Sequence, residues 1–546
     1  MFSSRKIDLA VLLLVCFAAF WWKLGALGLI DPDEPFYAQT AREMVTSHDW
    51  LTPRIYGQPQ FEKPIFYYWL VAGSFVTLGE SEFAGRAPTG VFTTALVILV
   101  WAFASRVWNA RTGFLAGLVM ATGLEYCVMS RLMLTDIPLA FFLSGSVFAA
   151  WLARKEEDKR EFWTFLNLTC AGLAVLTKGP IGGLVPIFAT IAFSRGTRQR
   201  IFFTGPGFWW GLAAYAVIVL PWYSLMFAQH ARQFWDEFFM RDNIMRMFKA
   251  EHPANNHWWY YLGLLILGSL PWMPAVVLTI RRAFRGIRQD EAAFFQWCWL
   301  LTSLIFLTLA QSKLPSYAFY LFVPMALLVA RTLDDVLEKG FRTNGERWLV
   351  IGFAIFQCVA ALGAPLIKVA RVFGTPVMML SACLAVSLVF LLLKRLKTWV
   401  LVSATASIAL LVGALTTTLP AVEAESSAKP VAMAILRERQ NDEPILTGVF
   451  LTRGIIYYTR FPVSVVARKA QPFWAAHPLP VILWSKGLKQ LMTEKPTALC
   501  ALRKSEFNSL DDLDCFKGKE AYAEMGENVI VRARGEVTAP KPVTKN

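Results

Sequence analysis

The stretch FAGRAPTGVFTTALVILVWAFAS (83–105), followed after the short basic turn RVWNAR by TGFLAGLVMATGLEYCVMS (112–130), decides the class of this chain. Each block is about 20 residues long and nearly free of charge, the length an α-helix needs to cross the hydrocarbon of a bilayer. The basic turn between them is too short for anything but a direct return. Such blocks recur in both directions. Of 546 residues, 56% are hydrophobic and 17% charged, with a mean hydropathy of +0.45. Soluble domains lie nearer 45–50% apolar and about 25% charged. The composition excludes an ordinary cytosolic enzyme and a disordered chain.

Extending the pattern gives about thirteen spans, near 9–30, 83–105, 112–130, 132–152, 162–177, 180–194, 205–228, 258–280, 292–310, 315–332, 346–367, 373–394 and 398–419. The expected fold is a polytopic α-helical membrane protein. The start, Arg5 and Lys6 before an apolar run to Ile30, is too long for a signal peptide and lacks a cleavage site, so it reads as a retained first helix.

The net charge of +15 would suggest nucleic acid in a soluble protein, but much of the excess sits in short loops. One alternating set holds Arg106/Arg111, Arg154/Lys155/Lys159/Arg160, Arg195/Arg198/Arg200, Arg281/Arg282/Arg285/Arg288 and Lys394/Arg395/Lys397. The opposite short loops hold little more than Lys178, Lys313 and Lys368/Arg371. The positive-inside rule puts the first set and the N-terminus in the cytoplasm. An odd number of spans then puts the tail outside. Nothing resembles a nucleic-acid motif.

Two outer loops stand out, 31–82 and 229–257, long and rich in charge and aromatics. Residues 34–46 have helical spacing, and the aromatics after Pro64 suit a helix at the membrane interface. Function concentrates in such loops. Residues 1–420 thus read as the membrane domain and 421–546 as a small outer α/β domain. In the latter a helix (AMAILRERQ) precedes the β-type runs ILTGVF, VSVVAR, PVILW, TALCAL and NVIVRAR. The last residues, TAPKPVTKN, read as disordered. Six cysteines lie in apolar segments as small hydrophobes, whereas Cys500 and Cys515 in an extracytoplasmic tail have the option of pairing.

Asp31, Asp33 and Glu34 follow the first span. Asp33 before Pro35 fits a helix start, and equally a general base or metal ligand. Glu62-Lys63-Pro64 sets an anion beside a cation suited to gripping a phosphate. Asp136, in RLMLTDIPLAFF, is an acid at membrane depth, costly enough there to be a functional candidate. Lys178 (LTKGP) and Lys313 (QSKLPSY) lie on the same side, and with Lys63, Arg54 and Arg86 they offer a cationic cradle for a phosphate, with Tyr317 as a further donor. His252 and His257 share the second outer loop with Glu251. Their spacing is not a helix-face metal motif, yet a divalent metal shared with Asp33 or Glu62 is open to them. No Walker A loop, G-x-G-x-x-G or G-x-S-x-G elbow appears.

The first outer loop, with Asp33-Glu34, Tyr37-Ala38, Arg42-Glu43-Met44, Asp49-Trp50, Pro53-Arg54 and Phe61-Glu62-Lys63-Pro64, resembles that of bacterial aminoarabinose lipid A transferases. These group with protein O-mannosyltransferases among membrane glycosyltransferases of the C-type fold. Arg86 in GRA, Asp136, Lys178 in TKGP, and Lys313 and Tyr317 in SKLPSY extend the likeness across most of the membrane part. The resemblance implies a polyprenyl-phosphate sugar donor at the periplasmic face of a bacterial inner membrane, and lipid A or a related envelope molecule as acceptor. It implies Asp33 as the catalytic centre, Glu62 and Lys63 shaping the cavity, and a second-loop histidine at a metal in some members. One departure stands out: Phe36 occupies the place of an arginine in the family's D-E-x-R-Y, removing a phosphate-binding cation. Transfer to protein Ser/Thr is the alternative. A transporter is a weaker one, because the charges cluster in outer loops and no repeated halves are visible.

Overall fold

A computed structural model describes residues 5–198, 205–364, 373–440, 442–468, 470, 479–483, 486–495, 497–508 and 523–534. Arg200, Lys368, Arg371, Cys515 and the TAPKPVTKN end lie outside them. The helices run, in chain order, α1 (Arg5–Cys16), α2 (Asp33–Ser47), α3 (Phe66–Leu78), α4 (Glu82–Val107), α5 (Ala110–Thr122), α6 (Leu124–Met129), α7 (Asp136–Lys155), α8 (Arg160–Lys178), α9 (Ile181–Thr197) and α10 (Pro206–Phe234). They continue with α11 (Arg246–Phe248), α12 (Tyr260–Gly268), α13 (Met273–Gly286), α14 (Glu291–Leu309), α15 (Phe322–Lys339), α16 (Asn344–Gly363), α17 (Gly374–Leu392) and α18 (Leu396–Gly413).

Every expected span overlaps helix among the described residues. Among the described residues, eight helical stretches are long and apolar enough to cross a membrane by themselves, and α3 and α9 are shorter apolar helices. The chain is therefore a multi-pass membrane protein. The count of thirteen crossings overstates what length and composition alone support, because several expected spans are short or divided.

Three spans differ from the expectation, each for a physical reason. The first stops at Trp21, not Ile30, after a π-helical turn over Phe17–Trp21. Its freed carbonyls are taken by two buried arginines: Arg131 donates to Ala19 O (3.0 Å) and Trp22 O (2.7 Å), and Arg86 to Leu24 O (3.1 Å). The span 112–130 breaks at Gly123 into α5 and α6, and 258–280 breaks before Pro271 into α12 and α13. Proline has no N–H and its ring clashes with the preceding turn, so one straight helix through it is disfavoured. In hydrocarbon every freed backbone group needs a partner. The two breaks supply one to each other: Leu124 N donates to Leu270 O (2.8 Å).

The chain forms two compact units, one of residues 1–24, 49–53 and 60–418, the other of 25–48, 54–59 and 419 onward. Much of the first outer loop is thus part of the second unit, not of the membrane domain that the sequence boundaries assigned it to. The first unit is the helical bundle. Its core is apolar and aromatic, with Phe103 stacked flat on Phe148 and Tyr126 on Phe319.

The second unit joins α2 and the hairpin β1 (Arg54–Ile55)–β2 (Gln58–Pro59) to a six-stranded sheet with strands β3 (Ile445–Thr447), β4 (Val463–Ala467), β5 (Val481–Leu483), β6 (Thr497–Arg503), β7 (Ala523–Met525) and β8 (Asn528–Arg534). Their order is β5-β4-β3-β6-β8-β7, with β3, β4, β5 and β6 parallel and β8 antiparallel to both neighbours. Helices α19 (Leu419–Ser426), α20 (Lys429–Glu438), α21 (Thr452–Thr459), α22 (Lys486–Glu494) and α23 (Lys504–Asn508) complete it. All five expected β-type runs contain strand. Cys500 is buried in mid-β6.

Asp31 fastens this unit. Its carboxyl accepts from Ala428 N (2.7 Å) and Gly454 N (2.9 Å), and a Cβ at Gly454 would come within 2.4 Å of it, which is why glycine stands there. Burial pushes the Asp31 carboxyl up to about 8, against the two N–H donors and the Arg453 charge, which pull it down. An unfolded aspartate titrates near ~3.9. The folded protein keeps a proton that the unfolded chain loses, so this contribution is full below about pH 4 and is lost as pH rises through 8. Asp31→Asn, uncharged throughout, is expected to flatten that dependence. Thermal unfolding followed by circular dichroism at pH 5 and pH 8.5 checks it; equal slopes for variant and wild type contradict it.

Candidate active site

A cavity of about 490 Å³ opens within the bundle, between the loop before α3 and helices α7, α8, α9 and α14. Its lining combines the polar side chains of Glu62, Lys63, Asp136, Lys178, Asp242, Arg246 and Tyr317 with the apolar ones of Leu139, Leu184, Phe239, Phe306 and Leu307 among others.

Local sequence places each charge. Asp136 is the first residue of α7, where the helix dipole favours an acid. Lys178 is the last residue of α8, ended by Gly179 at φ +89°, a backbone state glycine tolerates. The two helices pack together, so the ammonium of Lys178 meets the Asp136 carboxylate directly, and it lies 4.5 Å from the Tyr317 ring centre. Asp136 is buried, 3% exposed, and the Lys178 side chain is 12% exposed. Lys63, in the loop ahead of α3, donates to Glu62 O (2.9 Å). Burial, with Arg246's charge beside it, holds the Lys63 ammonium below its usual range.

Arg246 organises the rest. After α10 the chain continues as π-helix through Trp235–Met245, bringing Asp242 and Arg246 to one face. The guanidinium pairs with Asp242 (2.9 Å) and Glu251 (3.1 Å) and donates to the Tyr317 hydroxyl. Asp242 also takes Arg241 (2.7 Å). Ser312 and Tyr320 also line the cavity, their buried hydroxyls without a hydrogen-bond partner among the described residues. Three cations thus converge, each beside a carboxylate, and present N–H groups suited to an anion.

Of the sequence candidates, Glu62, Lys63, Asp136, Lys178 and Tyr317 come together here. Arg86 is instead 2% exposed in α4 and closes the end of the first span. Lys313 donates to Asn256 Oδ1 (2.8 Å) and Ala310 O beside the cavity wall and does not line it. Asp33, Tyr37 and Arg54 belong to the second unit. There Asp33 is exposed as the first residue of α2, Tyr37 is buried along the same helix, and Arg54 begins β1. Arg453 of that unit stands 4.8 Å from the Phe36 ring and donates to Pro32 O (3.4 Å).

The histidines do not fit a metal site. Both are exposed, and His257 stacks flat on Trp259 (5.1 Å). Among the described residues no three His, Cys, Asp or Glu side chains stand where they would hold an ion. No step is therefore derived through a metal.

Sequence reasoning missed Asp242, Arg246, Ser312 and Tyr320. The signal for the first two is an acid–base pair four residues apart in FFMRDNIMRMF, inside a loop that stands out in the sequence only as rich in charge and aromatics.

The fold has solved counterparts. ArnT from Cupriavidus metallidurans, crystallised bound to undecaprenyl phosphate, superposes with a TM-score of 0.74 over 98% of this chain and 99% of that one, at 21% identity. The same protein in the apo state gives 0.72. The fold class is that of a C-type membrane glycosyltransferase with a small C-terminal sheet domain. Residues 10–238 match the family described as dolichyl-phosphate-mannose-protein mannosyltransferase. The undecaprenyl phosphate-alpha-4-amino-4-deoxy-L-arabinose arabinosyl transferase of Pseudomonas aeruginosa is 32% identical over 64% of this chain and 64% of its own length. A second such transferase, from Pseudomonas fluorescens, is 33% identical over 70% and 65%. The chain thus spans about 64% of the length of the first of these curated relatives. The chain is thus similar to the aminoarabinose lipid A transferases over most of its membrane part, in keeping with the motifs of the first outer loop.

Proposed function

We propose that this protein transfers a sugar, aminoarabinose or a similar one, from undecaprenyl phosphate to lipid A or a related envelope acceptor, at the periplasmic face of a bacterial inner membrane. The observation that carries the reading is the mixed lining of the cavity. An isoprenoid phosphate is apolar along its tail and anionic at its head, and one cavity joins the cations of Lys63, Lys178 and Arg246 to apolar side chains such as Leu139, Leu184, Phe306 and Leu307. The relatives' names and the lipid phosphate bound to ArnT support it. The excess of Lys and Arg in the opposite loops supports the orientation, with the N-terminus inside and the sheet domain outside.

In this mechanism the acceptor oxygen attacks the anomeric carbon from the face opposite the phosphate, so configuration inverts. Negative charge grows on the departing phosphate, and preorganised Arg246, Lys178 and Lys63 stabilise it, with the hydroxyls of Tyr317 and Tyr320 as neutral donors. A hydroxyl acceptor needs a general base, the part that the family resemblance implies for Asp33, whereas a phosphate acceptor is already ionised. Protein O-glycosylation is the second reading, favoured by the mannosyltransferase family match over residues 10–238.

Proteoliposomes supplied with labelled undecaprenyl-phosphate sugar and lipid A test the proposal. Wild type is expected to label lipid A, and Asp33→Asn to lose transfer with the protein level unchanged. Label moving to protein instead supports the second reading. Asp33→Asn at full turnover removes that residue from the chemistry.

A further inference from the structure

A second cavity, about 550 Å³, lies within the helical bundle at the end whose short loops carry the Lys and Arg excess. It separates the C-terminal half of α4 from α7 and the start of α8, and Arg5 of α1 stands at its mouth. Its volume is within the ~300–1,000 Å³ of small-ligand sites. The inner wall is apolar: Leu99, Leu152 and Leu166 line it with Phe103 and Phe148, whose rings stack 3.9 Å apart, 6° from parallel. Gly145 of α7 presents no side chain to it.

The rim is different. Arg106 pairs with Glu156, and Trp163 donates to the same carboxylate (3.0 Å), which holds indole and guanidinium at one level. Tryptophan at that level is typical of a membrane–water interface. Arg5, by contrast, is exposed and makes no ion pair among the described residues. A slot with an apolar wall and an uncommitted cation at its mouth is complementary to an anionic amphiphile. Basic pockets between membrane helices on the cytoplasmic side are known to hold anionic lipid head groups.

We infer that this cavity binds one anionic glycerophospholipid, with an acyl chain against the Phe103–Phe148 wall and its phosphate at Arg5. The site is separate from the proposed donor cavity, with which it shares no lining residue.

The test is native mass spectrometry of the full chain in detergent, exchanged with phosphatidylglycerol or with phosphatidylcholine. One phosphatidylglycerol per chain is expected to survive mild activation, about fivefold more often than phosphatidylcholine, the scale set by one basic residue near a lipid surface. Arg5→Gln is expected to erase that preference. Ala102→Trp, which fills the cavity from an exposed position on α4, is expected to displace both lipids while leaving sugar transfer unchanged. Equal retention of the two lipids by wild type overturns the proposal. So does phosphatidylglycerol binding that is unmoved by Ala102→Trp. Loss in Ala102→Trp with the preference intact in Arg5→Gln overturns the assignment of the phosphate to Arg5.

Discussion

Replacing Arg246 by glutamine is expected to slow sugar transfer by about 10²–10³-fold, the usual effect of deleting one preorganised donor from an oxyanion-stabilising site. The reason is convergence. This guanidinium joins Asp242, Glu251 and the Tyr317 hydroxyl, and it lines the cavity in which the phosphate head is proposed to sit. Because the charge it meets grows as the phosphate departs, kcat is expected to fall more than KM rises. Arg246→Lys keeps the charge and loses the planar fork, so partial recovery is expected. Glutamine also leaves Asp242, 2% exposed at its side chain, with Arg241 as its remaining arginine partner among the described residues, so folded protein is measured alongside, and Asp242→Asn/Arg246→Gln separates lost chemistry from lost packing. Transfer within threefold of wild type for the single variant rules out this role.

The second large effect is on stability. Lys178 and Asp136 are largely buried partners joining the end of α8 to the start of α7. Removing one member of a buried pair leaves an uncompensated charge and costs about 3–5 kcal/mol, whereas neutralising both is far milder. Lys178→Met is therefore expected to lower the apparent melting temperature in detergent markedly, and Asp136→Asn/Lys178→Met to restore most of it. Sugar transfer is expected to stay low in both, since each lacks a cation at the donor phosphate. Identical melting of single and double variants refutes the coupling.

These residues show what was readable in advance and what was not. Asp136 stood out singly, because a charge flanked by apolar residues is improbable without a role; Lys178 was legible only as one of several cations on the same side, and the pairing of the two needed the packing of α7 on α8. Arg246 escaped because the π-helical stretch Trp235–Met245 does not follow the 3.6-residue period by which amphipathic faces are recognised. Arg86 was over-read. Its surroundings look like those of a ligand-binding cation, but its work is to satisfy the carbonyl of Leu24. Spans were legible because bilayer thickness imposes a length on apolar sequence, and the strands of the tail because alternation imposes a period. The division into two units was not, because residues 25–48 and 54–59 associate through distant contacts such as Asp31 with Ala428 and Gly454.

The bond from Leu124 to Leu270 bears on biogenesis. Residues 110–129 leave the ribosome long before residues 260–286, and until the later segment arrives the N–H exposed at the first interruption has no mate in lipid. The early segment is then held near the insertion machinery or in contact with water until synthesis has advanced some 140 residues further. Assembly of the membrane part is in that sense timed by its own later sequence, and nascent chains truncated before Pro271 are expected to be targets of membrane proteases.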